Sequence, residues 1–376
     1  MKRLIPLLMA LLLCACSSAA PAEPEAAAPQ TAAIDDMTYQ MQPGEEYAAL
    51  PGGAMIACAV TQQELKGRDA RLWQGTQSFA MNFGYTAQRF AAPENTVDGA
   101  ERALRDAAES GAQVVVCGGE TMAAALYRIQ ENYPSVCYLL LDAEPHSEDY
   151  AEYSGAANVH SVLFREEEAA YLAGCAAVEN GMTRLAYITR EKMPENVRYF
   201  TGFLQGAEAA AERRGEDVSM NAWFCASERE EGILWQLQNW FETGVDAVMT
   251  CDADLEAMAL EVAGEKDAVL NVDAAAATTQ TLYSAVKCYN AAVQQQLHAF
   301  FSNGGHWAET SGSTTMLGVA EGMVGITAGA IQENGFTQKA YNSVYTQLQN
   351  GTLTVSRYSD LDELPTLSSV ALHLSA

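Results

Sequence analysis

Positive charge is scarce in this sequence: 21 lysines and arginines stand against 48 aspartates and glutamates, a formal net charge of −27 at pH 7. Such a field repels phosphate backbones and anionic headgroups, which argues against nucleic acid as a partner. Only six of the basic residues are lysines, so a lysine at a strand end stands out. No apolar run reaches the roughly 20 residues that a membrane-spanning helix needs. None of the nine cysteines is paired as C-x-x-C, which leaves no sign of a zinc clasp or a redox dithiol. G-x-S-x-G, H-E-x-x-H and Walker-type motifs are missing, and the five histidines are scattered singly. Neither a metal, a cofactor nor catalysis is therefore expected. Apolar residues at 49% and charged residues at 18% still describe a folded chain, and its length fits two domains of about 150 residues plus a tail.

What is present begins with an export signal. Lys2 and Arg3 precede an apolar stretch of about ten residues, Leu4 to Leu13. Leu13-Cys14-Ala15-Cys16 then resembles a bacterial lipobox, with a small residue before Cys16. Residues 1–15 read as a lipoprotein signal peptide and Cys16 as the lipidated residue, holding an acidic body to the outer face of a cell membrane. Residues 16–48, rich in Ala, Pro and Glu, read as a tether with too little apolar surface to fold.

From Met55 onward, short apolar runs alternate with stretches of helical length. Strands are expected at 55–60, 113–117, 136–142, 159–164, 184–189, 220–225, 247–251 and 268–272, and helices at 97–110, 122–133, 166–180, 197–214, 228–243 and 254–264. Continuous rather than alternating apolarity marks strands buried on both faces, so the fold class is α/β with two doubly wound parallel sheets. Helix starts carry capping chemistry, with Asn95 or Thr96 before Val97, Pro194-Glu195, and Ser227 ahead of Glu230. The seven cysteines of the body read as buried small hydrophobes. Further on, an amphipathic helix is expected at 337–349, a short strand at 353–355, and a loosely packed end. Cys117-Gly118-Gly119-Glu120 follows a strand and opens a helix, which makes Gly119 a candidate cleft-lining residue.

Val162-Leu-Phe-Arg-Glu-Glu-Glu-Ala-Ala-Tyr-Leu-Ala-Gly174 resembles a segment of the basic membrane protein family of lipoproteins, whose better-understood members bind purine nucleosides for ABC transporters. Arg198-Tyr-Phe-Thr-Gly-Phe-Leu-Gln-Gly206, Val269-Leu-Asn-Val-Asp273, Ser284-Ala-Val-Lys287 and Leu317-Gly-Val-Ala-Glu-Gly-Met-Val-Gly-Ile326 are similar as well. The resemblance runs from about Met55 to Ile326. It implies a type I periplasmic-binding-protein architecture, with two lobes joined by three crossings, a small-molecule ligand and ABC permease subunits as partners. Lobe 1 is expected at 49–158 and 274–288, lobe 2 at 159–273 and 289–312, with 313–376 returning to lobe 1. Crossings are expected near 144–158 and 272–282, and a third beyond Thr310. By the same resemblance, Asp273 and Lys287 hold ribose hydroxyls and Asp142 contacts the base. If Asp273 and Lys287 serve only a ligand, removing either leaves the empty protein's stability nearly unchanged. The family's aromatic face after the first strand is replaced by Arg68 and Asp69, while Asp252 stands where family members carry glycine. A purine nucleoside remains the leading ligand, ahead of another sugar-like or autoinducer-type ligand. The rival from another class is a nucleoside or glycan hydrolase using a carboxylate pair among Asp69, Asp142, Asp252 and Asp273.

Overall fold

The computed structural model describes residues 36, 38–272, 281–307 and 312–375. The calls on the signal peptide, Cys16, the tether through residue 35, and Asp273 lie outside the described residues; the rest of the expected tether is not free, because Met41 is buried in the main core and Asp36 accepts from the Asn290 and Ala291 amides at 3.1 and 3.0 Å. In chain order the elements are β1 (Met55–Val60), α1 (Gly67–Phe83), β2 (Thr86–Ala91), α2 (Val97–Glu109), β3 (Val114–Gly118), α3 (Glu120–Ile129), β4 (Cys137–Leu141), β5 (Val159–Phe164), α4 (Glu166–Glu179), β6 (Arg184–Thr189) and α5 (Pro194–Arg214). There follow β7 (Val218–Phe224), α6 (Glu230–Glu242), β8 (Ala247–Thr250), α7 (Ala253–Val262), β9 (Ala268–Val272), β10 (Thr281–Lys287), α8 (Tyr289–Ser302), β11 (Thr314–Leu317), β12 (Val324–Ile326), α9 (Gln338–Gln349) and β13 (Val370–Ser375).

Two sheets result, ordered β11-β5-β4-β3-β1-β2 and β12-β10-β9-β8-β6-β7-β13, with every pairing parallel except β10 with β12. The continuous apolar runs are the reason. In β1, Ile56, Cys58 and Val60 enter one core while Ala57 and Ala59 enter another, so both faces are covered by helices. One hydrophobic core extends from the α1 and α8 side of the first sheet to the α4 and α5 side of the second, and the opposite faces are closed separately by α2 with α3 and by α6 with α7. Thr96 caps α2, accepting from the Gly99 amide at 3.1 Å, and Pro194 opens α5. Ser227 caps nothing; α6 starts at Arg229 without a side-chain cap.

The lobe boundaries need correcting. Val159–Phe164 belongs to the first sheet, beside β4, and Thr281–Lys287 to the second, beside β9. The chain passes between sheets at 164–166, 287–289 and 317–324, where Arg165 N donates to Leu317 O at 2.8 Å and Cys288 N to Met323 O at 2.9 Å. The closing strand is β13, which joins β7 of the second sheet; no strand forms at 353–355. Val370–Ser375 lacks a continuous apolar run because it lies on a sheet edge and leaves Ala371, His373, Leu374 and Ser375 outward.

The three glutamates of the family-like segment sit at this hinge. Glu166 pairs with Arg198 and with Arg357 at 3.5 Å, Glu167 accepts from Arg357 at 2.6 Å, and Glu168 accepts from the Val319 amide at 2.7 Å. Three consecutive carboxylates thus tie the first crossing to the third and to the segment before β13. The glycines of the same motifs let α4 and α5 touch. A Cβ on Gly174 would lie 2.2 Å from Phe203 O, and one on Gly206 would lie 2.0 Å from Tyr171 O.

Candidate functional site

The carboxyl ends of the first sheet's strands face α5 of the second lobe across a cavity of about 470 Å³, within the usual size of small-molecule sites. Its walls come from both lobes: Glu120, Asp142, Glu144, Tyr150, Tyr153 and Phe164 on one side, Glu166, Glu195, Asn196 and Arg198 on the other, with Arg357 reaching in from the segment before β13.

Asp142 follows β4 with φ of 64°, in the left-handed region that aspartate tolerates better than most residues. Its amide donates to Val162 O at 2.7 Å, and its carboxylate is turned toward the crossing between lobes. There Lys287 Nζ donates to Asp142 Oδ1 at 2.8 Å and also to Glu195, while Tyr289 Oη donates to Asp142 Oδ2 at 2.7 Å. Lys287 is completely buried at the end of β10, with its ammonium 5.5–6.0 Å from the ring centres of Tyr199, Tyr289 and Phe164. A lysine in such a place would lose its proton through desolvation, but Asp142 and Glu195 outweigh that and hold its pKa well above the ordinary value. Burial likewise pushes Asp142 up, yet Lys287 and Arg68 bring it below the usual carboxylate range. Glu195, at the start of α5, is raised by desolvation in the cleft and by the nearby Asp142 charge, which Lys287 only partly offsets. The result is a chain of three charges, carboxylate, ammonium, carboxylate, joining the first lobe, a crossing and the second lobe.

Of the residues singled out from sequence, Asp142 and Lys287 meet directly. Arg68 joins them, with Nη1 3.7 Å from Asp142 Oδ2, and its guanidinium lies against Gly119, where an added Cβ would meet it at 2.1 Å. Gly119 has φ of 82° and begins α3. Asp69 is buried and its Oδ2 accepts from both the amide and the hydroxyl of Thr61 at 2.7 Å, so it fastens the end of β1. Asp252 fastens another loop, accepting from Thr189 Oγ1 at 2.7 Å and from the Arg190 amide at 3.0 Å. Neither lines the cavity. Glu195, Tyr289, Glu120, Tyr150 and Tyr153 are not picked out as site residues by the sequence; only Glu195, in the Pro-Glu start of α5, and Glu120, at the end of the Cys117–Glu120 motif, leave a trace there.

The seven cysteines among the described residues are unpaired, five of them buried; burial pushes Cys225 up to about 11, which suits inert packing better than reactivity. Among the described residues no group of His, Cys, Asp and Glu has the geometry for a metal ion, and no helix is long and apolar enough to cross a membrane.

A family model described as Bmp, ABC transporter substrate-binding protein PnrA-like, matches residues 66–356. Among solved structures, a solute-binding protein of an ABC transporter system from Aeropyrum pernix K1 is 17% identical, with a TM-score of 0.62 over 82% of this chain and 95% of that one. A second, from Conexibacter woesei DSM 14684, is 16% identical, with a TM-score of 0.60 over 82% of this chain and 100% of that one. A transcriptional activator of the comK gene from Bacillus halodurans is 14% identical, with a TM-score of 0.61 over 79% and 98%. At these identities the likeness is one of fold. No curated protein matches the chain.

Proposed function

The chain belongs to the Bmp family of PnrA-like ABC transporter substrate-binding proteins, and from that premise we propose that it is a lipid-anchored receptor for a purine nucleoside, which it encloses between its lobes and passes unaltered to an ABC-type permease. Substrate-binding proteins of such transporters work outside the cytoplasm, which agrees with an export signal ahead of the fold. The observation that carries the reading is the cavity between the lobes, with Asp142 and Glu195 on its polar side, joined beneath the wall by the buried Lys287, and tyrosines on another. A nucleoside needs both: charged groups for vicinal hydroxyls, an apolar face for a base. The ribose diol is assigned to Asp273 with the lining carboxylates Asp142 and Glu195, which the buried Lys287 holds in place from behind the cavity wall. Hydrolysis is disfavoured because Lys287 and Arg68 hold Asp142 below the usual carboxylate range, which makes it a poor proton donor, while Asp69 and Asp252 are engaged by their own loops.

A thermal-shift and calorimetric panel of nucleosides, bases and free sugars tests this. A purine nucleoside at 100 times its Kd is expected to add roughly 2.7 kcal/mol to stability, and its 2′,3′-dideoxy form is expected to bind at least tenfold more weakly. Chromatography after incubation is expected to return the nucleoside intact. A shift with sugars alone would move the assignment to a sugar-like ligand; release of free base would make the protein a hydrolase. For the anchor, Cys16→Ser is expected to abolish metabolic lipid labelling and detergent-phase partitioning, and unchanged labelling would remove Cys16 from the proposal.

A further inference from the structure

The family's aromatic face next to the first strand is absent here, and Arg68, which stands in its place, lies against Gly119 and is not among the residues that line the cavity. Another element supplies aromatic surface. The loop between β4 and β5, residues 142–158, carries Tyr150 and Tyr153, which line the cavity yet are 43% and 57% exposed. Large side chains left open in a concave site await a partner. Tyr150 has φ of 58°, and among the described non-glycine residues only Asp142, also in the cavity wall, shares a positive φ.

The loop is built to hold those rings still. His146 is buried and bridges to Tyr153; its ring stacks on Tyr150 at 4.4 Å and 13° and lies 5.5 Å from Tyr153. Ser147 N donates to Glu152 O and Tyr150 N to Ser147 O, both at 2.8 Å, and Gln130 Nε2 secures Ser154 O at 2.8 Å. On its other side His146 Nε2 lies 2.9 Å from Glu120 Oε2, and Glu120 is itself a lining residue whose side chain is 46% exposed. One histidine therefore positions two aromatic rings and a carboxylate at the same wall.

We propose that this loop is the base-reading element: Tyr150 and Tyr153 stack on the planar heteroaromatic ring of the ligand, and Glu120 accepts an N–H from that ring's edge. The inference rests on the nucleoside reading above and narrows it to purines that present N–H donors, such as guanine, since a carboxylate acceptor rejects an edge made only of acceptors. His146 acts as a positioning residue.

Titration calorimetry on the full chain, with guanosine and purine riboside as probes, tests the proposal. The double variant Tyr150→Ala, Tyr153→Ala is expected to bind guanosine about 10- to 100-fold more weakly. The Phe, Phe double variant should remain within about threefold of the parent, because the π faces survive. Glu120→Gln is expected to weaken guanosine at least fivefold and leave purine riboside, which lacks the exocyclic donor, nearly unchanged. Melting temperatures of the variants without ligand report whether the fold is kept. If the parent binds nucleosides and the Ala, Ala variant binds them equally well, the stacking role is overturned while the receptor reading stands. If the parent binds no nucleoside, both fall together. Equal losses of guanosine and purine riboside in Glu120→Gln would overturn the edge contact alone.

Discussion

Replacing Lys287 by methionine is expected to lower the unfolding free energy by about 3–5 kcal/mol at pH 7, because two carboxylates then share a desolvated crossing with only Arg68, 3.7 Å from Asp142, as a counter-charge. Treated as a ligand contact alone, Lys287 would leave the empty protein almost as stable as before. Its complete burial and its bonds to Asp142 and Glu195 reverse that expectation. The pH dependence has a definite sign. In the parent, Asp142 is held below its unfolded pKa, so its contribution to stability is present above that value and disappears as pH falls through the folded one. Without Lys287, Glu195 loses its cation and Asp142 keeps only Arg68, so both carboxylates bind protons more readily in the folded variant than in the folded parent. The variant's deficit is then largest near neutrality and shrinks as pH falls below about 5. Urea unfolding at several pH values measures it. A deficit under 1 kcal/mol at pH 7, or one that grows on acidification, would remove Lys287 from the centre of the hinge.

Gly206→Ala is expected to be almost as damaging, at roughly 3 kcal/mol with a loss of soluble yield. The new methyl would sit 2.0 Å from the carbonyl oxygen of Tyr171, a backbone atom in the middle of α4 that cannot step aside unless the helices separate. Gly232→Ala in α6 is the matched control. Its methyl would meet only the flexible Glu228 side chain, and the gain in helix propensity, up to about 1 kcal/mol, is expected to leave that variant neutral or slightly stabilised. Equal unfolding midpoints for the two variants would show that the α4–α5 contact is looser than the glycine notches imply.

Strands with both faces buried were legible because short apolar runs such as 114–118 or 137–141 are too brief for a buried helix and stand between stretches of helical length. Edge strands were not. Thr86–Ala91 reads T-A-Q-R-F-A and is mostly outward, and Val370–Ser375 is similar, so neither carries a pattern that separates it from a loop. Sheet membership was also out of reach. β5 and β6 have the same kind of apolar run, and only the register of β5 on β4 and of β6 on β7 assigns them to different lobes. In the site, Asp142 and Lys287 could be flagged one at a time by resemblance, but a bond between residues 145 apart has no local signature. The aromatic loop was invisible for a different reason: two tyrosines in a polar stretch look like surface until His146 is seen to hold them against a cavity.

The three crossings also bear on how the molecule comes into being. Each sheet gathers strands from both sides of the hinge, so β5 has no neighbour on its outer edge until Thr314–Leu317 arrives, and the second sheet lacks both of its edge strands until β12 and β13 follow. A chain delivered N-terminus first at about 5–20 residues per second carries that open edge on β5 for roughly 8–30 s. Parallel pairing over such separations is slow to nucleate, and an unpaired strand edge invites a second copy to fill it. Neither lobe is therefore a unit that can be synthesised, excised or exchanged by itself. A fragment ending before Thr314 would contain most of both cores and complete neither.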